Sequence, residues 1–101
     1  MRTKQFSIEL SDEAEIDFDK SYAFYFEDNL KVVDTFYKQI NLGFWNIKQN
    51  PTSFPIVHKD VRKYVVKKFP FVIYYQIVDA TIRVIAIFHT SRNPEIWNDR
   101  T

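Results

Sequence analysis

Hydrophobic positions change period several times along the chain, and each change marks a predicted element. Over residues 4–10, Phe6, Ile8 and Leu10 alternate with Gln5, Ser7 and Glu9, the two-residue period of a half-buried strand. Ser11 then stands where a side-chain oxygen can cap a helix, and Asp12 and Glu13 put negative charge in its first turn. Ala14, Phe18, Tyr22, Tyr25 and Phe26 recur at three- and four-residue steps, which predicts a helix to about Asp28. Val33, Phe36, Tyr37, Ile40, Phe44 and Ile47 define a second helix that Pro51 must end. The two read as a helical hairpin. Gly43 costs about 1 kcal/mol relative to Ala in a helix interior, so it reads as a point of close helix contact.

Residues 51–60 read as irregular, with Pro55 opposing regular pairing. Three stretches rich in Val, Ile, Phe and Tyr follow at 61–68, 71–78 and 81–88. Tight turns at Phe69-Pro70 and Asp79-Ala80 join them, which predicts an antiparallel meander. The fold class is therefore α+β, in the order β-α-α-β-β-β, with one mainly antiparallel sheet and a two-helix hairpin packed on one face.

A two-residue Asp79-Ala80 loop sets Val78 opposite Thr81, Gln76 opposite Arg83, Tyr74 opposite Ile85 and Val72 opposite Ile87. One face of this hairpin is then Phe71, Ile73, Tyr75 and Ile77 with Ile82, Val84, Ala86 and Phe88, suited to cover by the helices. The other carries Val72, Tyr74, Gln76 and Val78 with Thr81, Arg83, Ile85, Ile87 and, at its end, His89. For 61–68 two registers remain. A two-residue Phe69-Pro70 loop sends Lys63 and Lys67 to the open face, and a one-residue slip sends Arg62, Tyr64 and Lys68 there.

At 101 residues, 46% of them apolar, the chain is a single domain over 1–101 with one core. It contains no cysteine, which excludes disulfides, thiolate chemistry and Cys-based zinc sites, and one glycine, which excludes Gly-rich phosphate loops. Two histidines without ligand spacing predict no metal, and no cofactor is expected. No apolar run approaches the ~20 residues of a membrane span, and the first residues lack a secretory pattern, so a cytoplasmic protein without a membrane partner is expected.

Charge is segregated. Residues 1–34 hold four basic and nine acidic groups, whereas 35–101 hold ten basic against four acidic. The basic half suits an anionic partner, and Lys59, Arg62, Lys63, Lys67 and Lys68 interleave with aromatics in a way that attracts phosphate and stacks bases. The candidate binding residues are Arg62, Lys63, Lys67, Tyr74, Gln76, Arg83, His89, Arg92 and Trp97. Arg92 also reads as the anchor of a terminal turn begun by Asn93 and Pro94, with Trp97 folding back on the core. The acidic run 12–19 reads as a solvated helix face.

The order of elements resembles the RelE/ParE toxin superfamily of bacterial toxin–antitoxin modules, and its ParE-type plasmid stabilization branch most of all. The likeness is carried by Leu10-Ser11, Ala14 and Asp17-Phe18, then Val61-Arg62 leading to residues 69–75, and the ending His89-Thr90-Ser91-Arg92-Asn93-Pro94. The resemblance implies a small cytoplasmic toxin held inactive in a hetero-oligomer with a cognate antitoxin. ParE-like members poison DNA gyrase, and RelE-like members cleave mRNA on the ribosome. Metal-independent RNA cleavage needs proton transfer and cations at the phosphate, for which the candidates are His89, Arg83, Arg62 and Arg92, with Tyr74 as a stacking or donor group. Thr90 stands where such ribonucleases tend to carry Tyr, and the tail is not basic, so binding to gyrase is the leading expectation. The ribonuclease and a non-toxic antitoxin-binding member are the alternatives.

Overall fold

The computed structural model describes residues 5–101, and Lys4, where the first predicted strand begins, lies outside the described residues. Strand β1 (Ser7–Leu10) leads at once into helix α1 (Asp12–Asp28), because Ser11 turns the chain and its Oγ accepts from the Ala14 amide at 3.2 Å. Asn29 alone separates α1 from α2 (Leu30–Gln49). Its amide completes α1 by donating to the Tyr25 carbonyl, and its Oδ1 caps α2 by accepting from the Lys31 and Val32 amides. Strands β2 (Ile56–His58), β3 (Val61–Val65), β4 (Phe71–Val78) and β5 (Thr81–His89) follow, and a 3₁₀ segment, Pro94–Arg100, ends the fold.

The five strands lie in the order β1-β5-β4-β3-β2, with β1 parallel to β5 and every other pairing antiparallel. The α+β class, the mainly antiparallel sheet and the helical hairpin on one face are as predicted. Strand β2 was not. Pro55 removes only its own amide, so pairing begins directly after it, and its carbonyl still accepts from the Lys63 amide at 3.1 Å.

The helices bury Ala14, Phe36, Ile40 and Ile47 against Tyr64, Ile73, Tyr75 and Ile82. Gly43 makes its close approach to the sheet rather than to α1, for a Cβ there would stand 2.8 Å from a Tyr64 ring carbon and 3.0 Å from Ile73 Cδ1. A second apolar cluster, comprising Val61, Val72, Tyr74, Ile85, Ala86, Phe88 and Trp97, fills the opposite face. That face is not open: the 3₁₀ segment covers it.

The β4–β5 register explains which side chains went where. Val78 pairs with Thr81 and Gln76 with Arg83, as the two-residue turn requires, but a bulge falls between the Tyr75–Val84 and Tyr74–Ala86 pairs. The extra residue, Ile85, shifts every later position of β5 by one, so Ala86 and Phe88 join the second cluster while Ile87 turns to the helices. Between β3 and β4 the turn spans residues 67–70 rather than two residues, with Val65 opposite Val72 and the Val66 amide bonded to the Phe71 carbonyl at 2.9 Å. Lys63 therefore shares the second face with Tyr74, and Arg62 shares the helix face with Tyr75.

Tyr75 is fully buried, and its hydroxyl donates to the Pro51 carbonyl at 2.7 Å. Burial pushes the phenol up to about 12, with the Arg62 guanidinium opposing. The folded value lies above the ordinary 10, so this contribution to stability is complete below pH ~10 and is lost as pH rises toward 12. A urea midpoint that declines across that window, and declines less in Tyr75→Phe, is the expected result.

Candidate functional site

Two clefts flank Lys63 on the β3 side of the sheet. The first, of about 390 Å³, lies between β2, β3 and the 3₁₀ segment, and its lining includes Val57, His58, Lys63, Tyr74, Glu95 and Trp97. The second, of about 380 Å³, is lined by Asn46, Phe54, Pro55, Lys63, Tyr64, Val65 and Lys67. Lys63 belongs to both because β3 presents it between them, and Lys67 reaches the second from the 67–70 turn. Two ammonium groups over floors of Tyr, Phe and Pro make a surface that attracts anionic segments and offers apolar contact beneath them.

Tyr74 and Trp97 form the floor of the first cleft rather than its exposed rim. Tyr74 is 8% and Trp97 3% exposed, their rings stand 4.7 Å apart, and His58 meets Trp97 edge-on at 5.5 Å. Trp97 thus packs as expected, and its Nε1–H is buried without a hydrogen-bond partner among the described residues.

The remaining predicted residues scatter. Arg62, on the helix face, donates to the Thr52 and Phe54 carbonyls at 3.1 and 2.7 Å, so it staples the loop after α2. Gln76 donates to Asp60 Oδ1 at 3.0 Å. Arg83 is exposed between Glu9 on β1 and Gln76 on β4. His89 has crossed to the helix side, a consequence of the bulge. There its ring stands 5.3 Å from Phe71, edge-on, and Nδ1 accepts from the Ser91 amide at 3.0 Å, with the Ser91 hydroxyl 2.8 Å away. It lines a separate cleft of about 260 Å³ with Lys20, Ser21, Phe24, Tyr25 and Phe71. Burial, aided by the Asp28 carboxylate, raises the Tyr25 phenol above its ordinary range.

Arg83 and His89 are six residues apart on one strand, roughly 20 Å at a strand's rise, and they face different sides of the sheet. The set His89, Arg83, Arg62 and Arg92 is therefore not brought together around one phosphate.

The structure adds a constellation the sequence reading missed. Asp17 does not belong to the solvated acidic face expected over 12–19, for it is 5% exposed. Its carboxylate accepts from Arg100 Nη1 at 2.7 Å, from Arg92 Nη1 at 3.3 Å and from the Ile87 amide at 3.1 Å. Arg100 Nη1 also donates to the Ile85 carbonyl at 3.0 Å, and both guanidinium groups lie over the Phe88 ring, Arg92 at 3.8 Å and Arg100 at 5.0 Å. These contacts clasp the C-terminal segment to α1 and β5. Arg92 anchors that segment, and Asn93 caps it by accepting from the Glu95 amide at 3.0 Å. One signal for Asp17 was available: with Ala14, Phe18 and Ser21 it follows the three- and four-residue steps of the buried stripe.

A family model described as the ParE toxin of the type II toxin–antitoxin system, parDE, matches residues 8–94. The chain belongs to the ParE toxin family. The match runs from the second residue of β1 to the first residue of the 3₁₀ segment, so it takes in the hairpin, strands β2 to β5 and the Lys63 clefts up to Pro94, but not Glu95 and Trp97. Among solved structures, the chromosomal ParDE toxin–antitoxin system from P. aeruginosa is similar, with a TM-score of 0.69 and 20% identity, over 86% of this chain and 98% of that one. At that identity the likeness bears on the fold. No curated protein matches the chain by sequence. As a ParE-family chain it has no helix, among the described residues, long and apolar enough to cross a membrane.

Proposed function

We propose that this ParE-family protein is a cytoplasmic toxin that inhibits DNA gyrase by binding it, and that a cognate antitoxin neutralises it in a hetero-oligomeric complex. Family membership across residues 8–94 carries the reading. The separation of Arg83 from His89 across the sheet, with Arg62 tied to the loop after α2, supports binding over ribosome-dependent mRNA cleavage, which needs those groups around one phosphate. Expression without the antitoxin is expected to arrest bacterial growth and change plasmid supercoiling while transcripts stay whole. Ribosome-dependent transcript cuts abolished by His89→Ala would overturn it.

The antitoxin contact belongs on the Lys63 clefts and the adjoining strand β2, where Ile56 and Val57 are exposed and which forms the sheet edge among the described residues. An acidic extended segment fits that charge. Reversing Lys63 and Lys67 together to Glu is expected to weaken the toxin–antitoxin complex by about tenfold in low salt, and the loss should shrink as salt rises. Unchanged affinity in low salt would place the contact elsewhere.

A further inference from the structure

The outer surface of the helical layer takes no part in the clefts around Lys63, yet it is apolar along its seam. Phe26, Leu30, Tyr37 and Trp45 are each at least half exposed, and the Tyr22 ring bridges Phe26 at 6.3 Å and Tyr37 at 6.5 Å. Single exposed apolar side chains are ordinary, but rings grouped along the join of two helices mark an interaction surface. The two helices flanking that seam carry opposite charge. Helix α1 exposes six carboxylates against Lys20, and α2 exposes Lys31, Lys38 and Lys48 against Asp34. Because the hairpin runs antiparallel, Glu27 and Asp28 lie at the Lys31 end of the layer, and Glu13 and Glu15 lie at the Lys48 end.

We propose that this face joins two copies of the chain, packed helical layer to helical layer about a two-fold axis that runs along the helices between α1 and α2. This axis sets each α1 across α2 of the other copy and keeps the ends level, so Glu27 meets Lys31 and Glu15 meets Lys48. A two-fold axis across the helices would instead set α1 on α1, carboxylate against carboxylate. Charge thus selects one of the two isologous arrangements. A different protein would have to bring an acidic and a basic stripe at this spacing, whereas a second copy already has both. Helices of 17 and 20 residues lie side by side over roughly 30 by 20 Å, which approaches the ~800 Å² per partner of a stable interface.

Sedimentation equilibrium of the full chain tests this, whichever way the growth assay falls. A dimer at micromolar concentration is expected. Phe26→Glu should raise its dissociation constant by at least about tenfold with an unchanged circular dichroism spectrum, since Phe26 is 54% exposed. Lys31→Glu with Lys48→Glu should weaken it likewise, and adding Glu15→Lys with Glu27→Lys to the same chain should restore it. A monomer up to about 100 μM, a dimer indifferent to Phe26→Glu, or charge variants without effect would each overturn the proposal.

Discussion

Asp17→Ala is expected to destabilise the protein by about 3–5 kcal/mol, the cost of removing one partner from a buried ion pair. The substitution leaves Arg100, whose side chain is 14% exposed, without its carboxylate, and strips the Ile87 amide of its only acceptor in the clasp. A domain of this size has about 5–15 kcal/mol in total, so the loss is a large share of it. Asp17→Asn keeps an oxygen for the Ile87 amide but not the charge, and should fall between the two. Urea unfolding of Asp17→Ala, Arg100→Ala and the double variant checks the coupling: if the clasp acts as a unit, the double variant loses clearly less than the sum of the singles. Losses that simply add would show the residues acting independently.

Phe36→Ala is expected to cost a similar ~3–5 kcal/mol for a different reason. Phe36 is fully buried, and its ring lies 4.9 Å from Tyr25, 5.1 Å from Phe71, 5.3 Å from Phe69 and 6.0 Å from Phe18. It is the ring at which both helices, strand β4 and the 67–70 turn meet. Truncation opens a cavity these large neighbours cannot close by small movements, because each is fixed by its own packing. Phe24→Ala on α1, where the ring is 70% exposed, should stay within about 0.5 kcal/mol in the same assay. Equal losses at the two positions would contradict the packing described.

The helices and the strand β4 were legible because their signals are local: a serine cap with acidic residues after it, stripes at helical spacing, Pro51 as a stop, and turn residues at Asp79-Ala80. The far half of β5 was not. From Val84 to Phe88 every side chain is apolar, so no polar residue marks which face a position takes, and a one-residue bulge leaves no trace in the pattern. The misplacement of His89, Ala86 and Phe88 follows from that single residue. For 61–68 both parities stayed open since the turn length decides them, and the four-residue turn sent Lys63 outward and Arg62 under the helices. Of the candidate site, Lys63 and Lys67 fall together, and Tyr74 with Trp97 forms their neighbouring floor. The folding back of Trp97 was legible from Asn93 and Pro94, but the clasp that holds the segment over the second face was not, because Asp17 and Arg100 are 83 positions apart and each alone resembles ordinary surface charge.

Strand β1 stops at Leu10, opposite Val84, and the Ser11 amide makes the last strand-like bond, to the Val84 carbonyl at 2.9 Å. Beyond it the carboxylate of a helical residue takes over the Ile87 amide, so a side chain completes a rung that backbone would otherwise supply. This leaves the joint between β1 and α1 without slack. One inserted residue there would rotate α1 by about 100° and swing the carboxylate off the strand. Length variation among homologous chains is therefore expected to avoid that joint and to gather in the segment after α2 or the 67–70 turn, where no helix phase depends on the count.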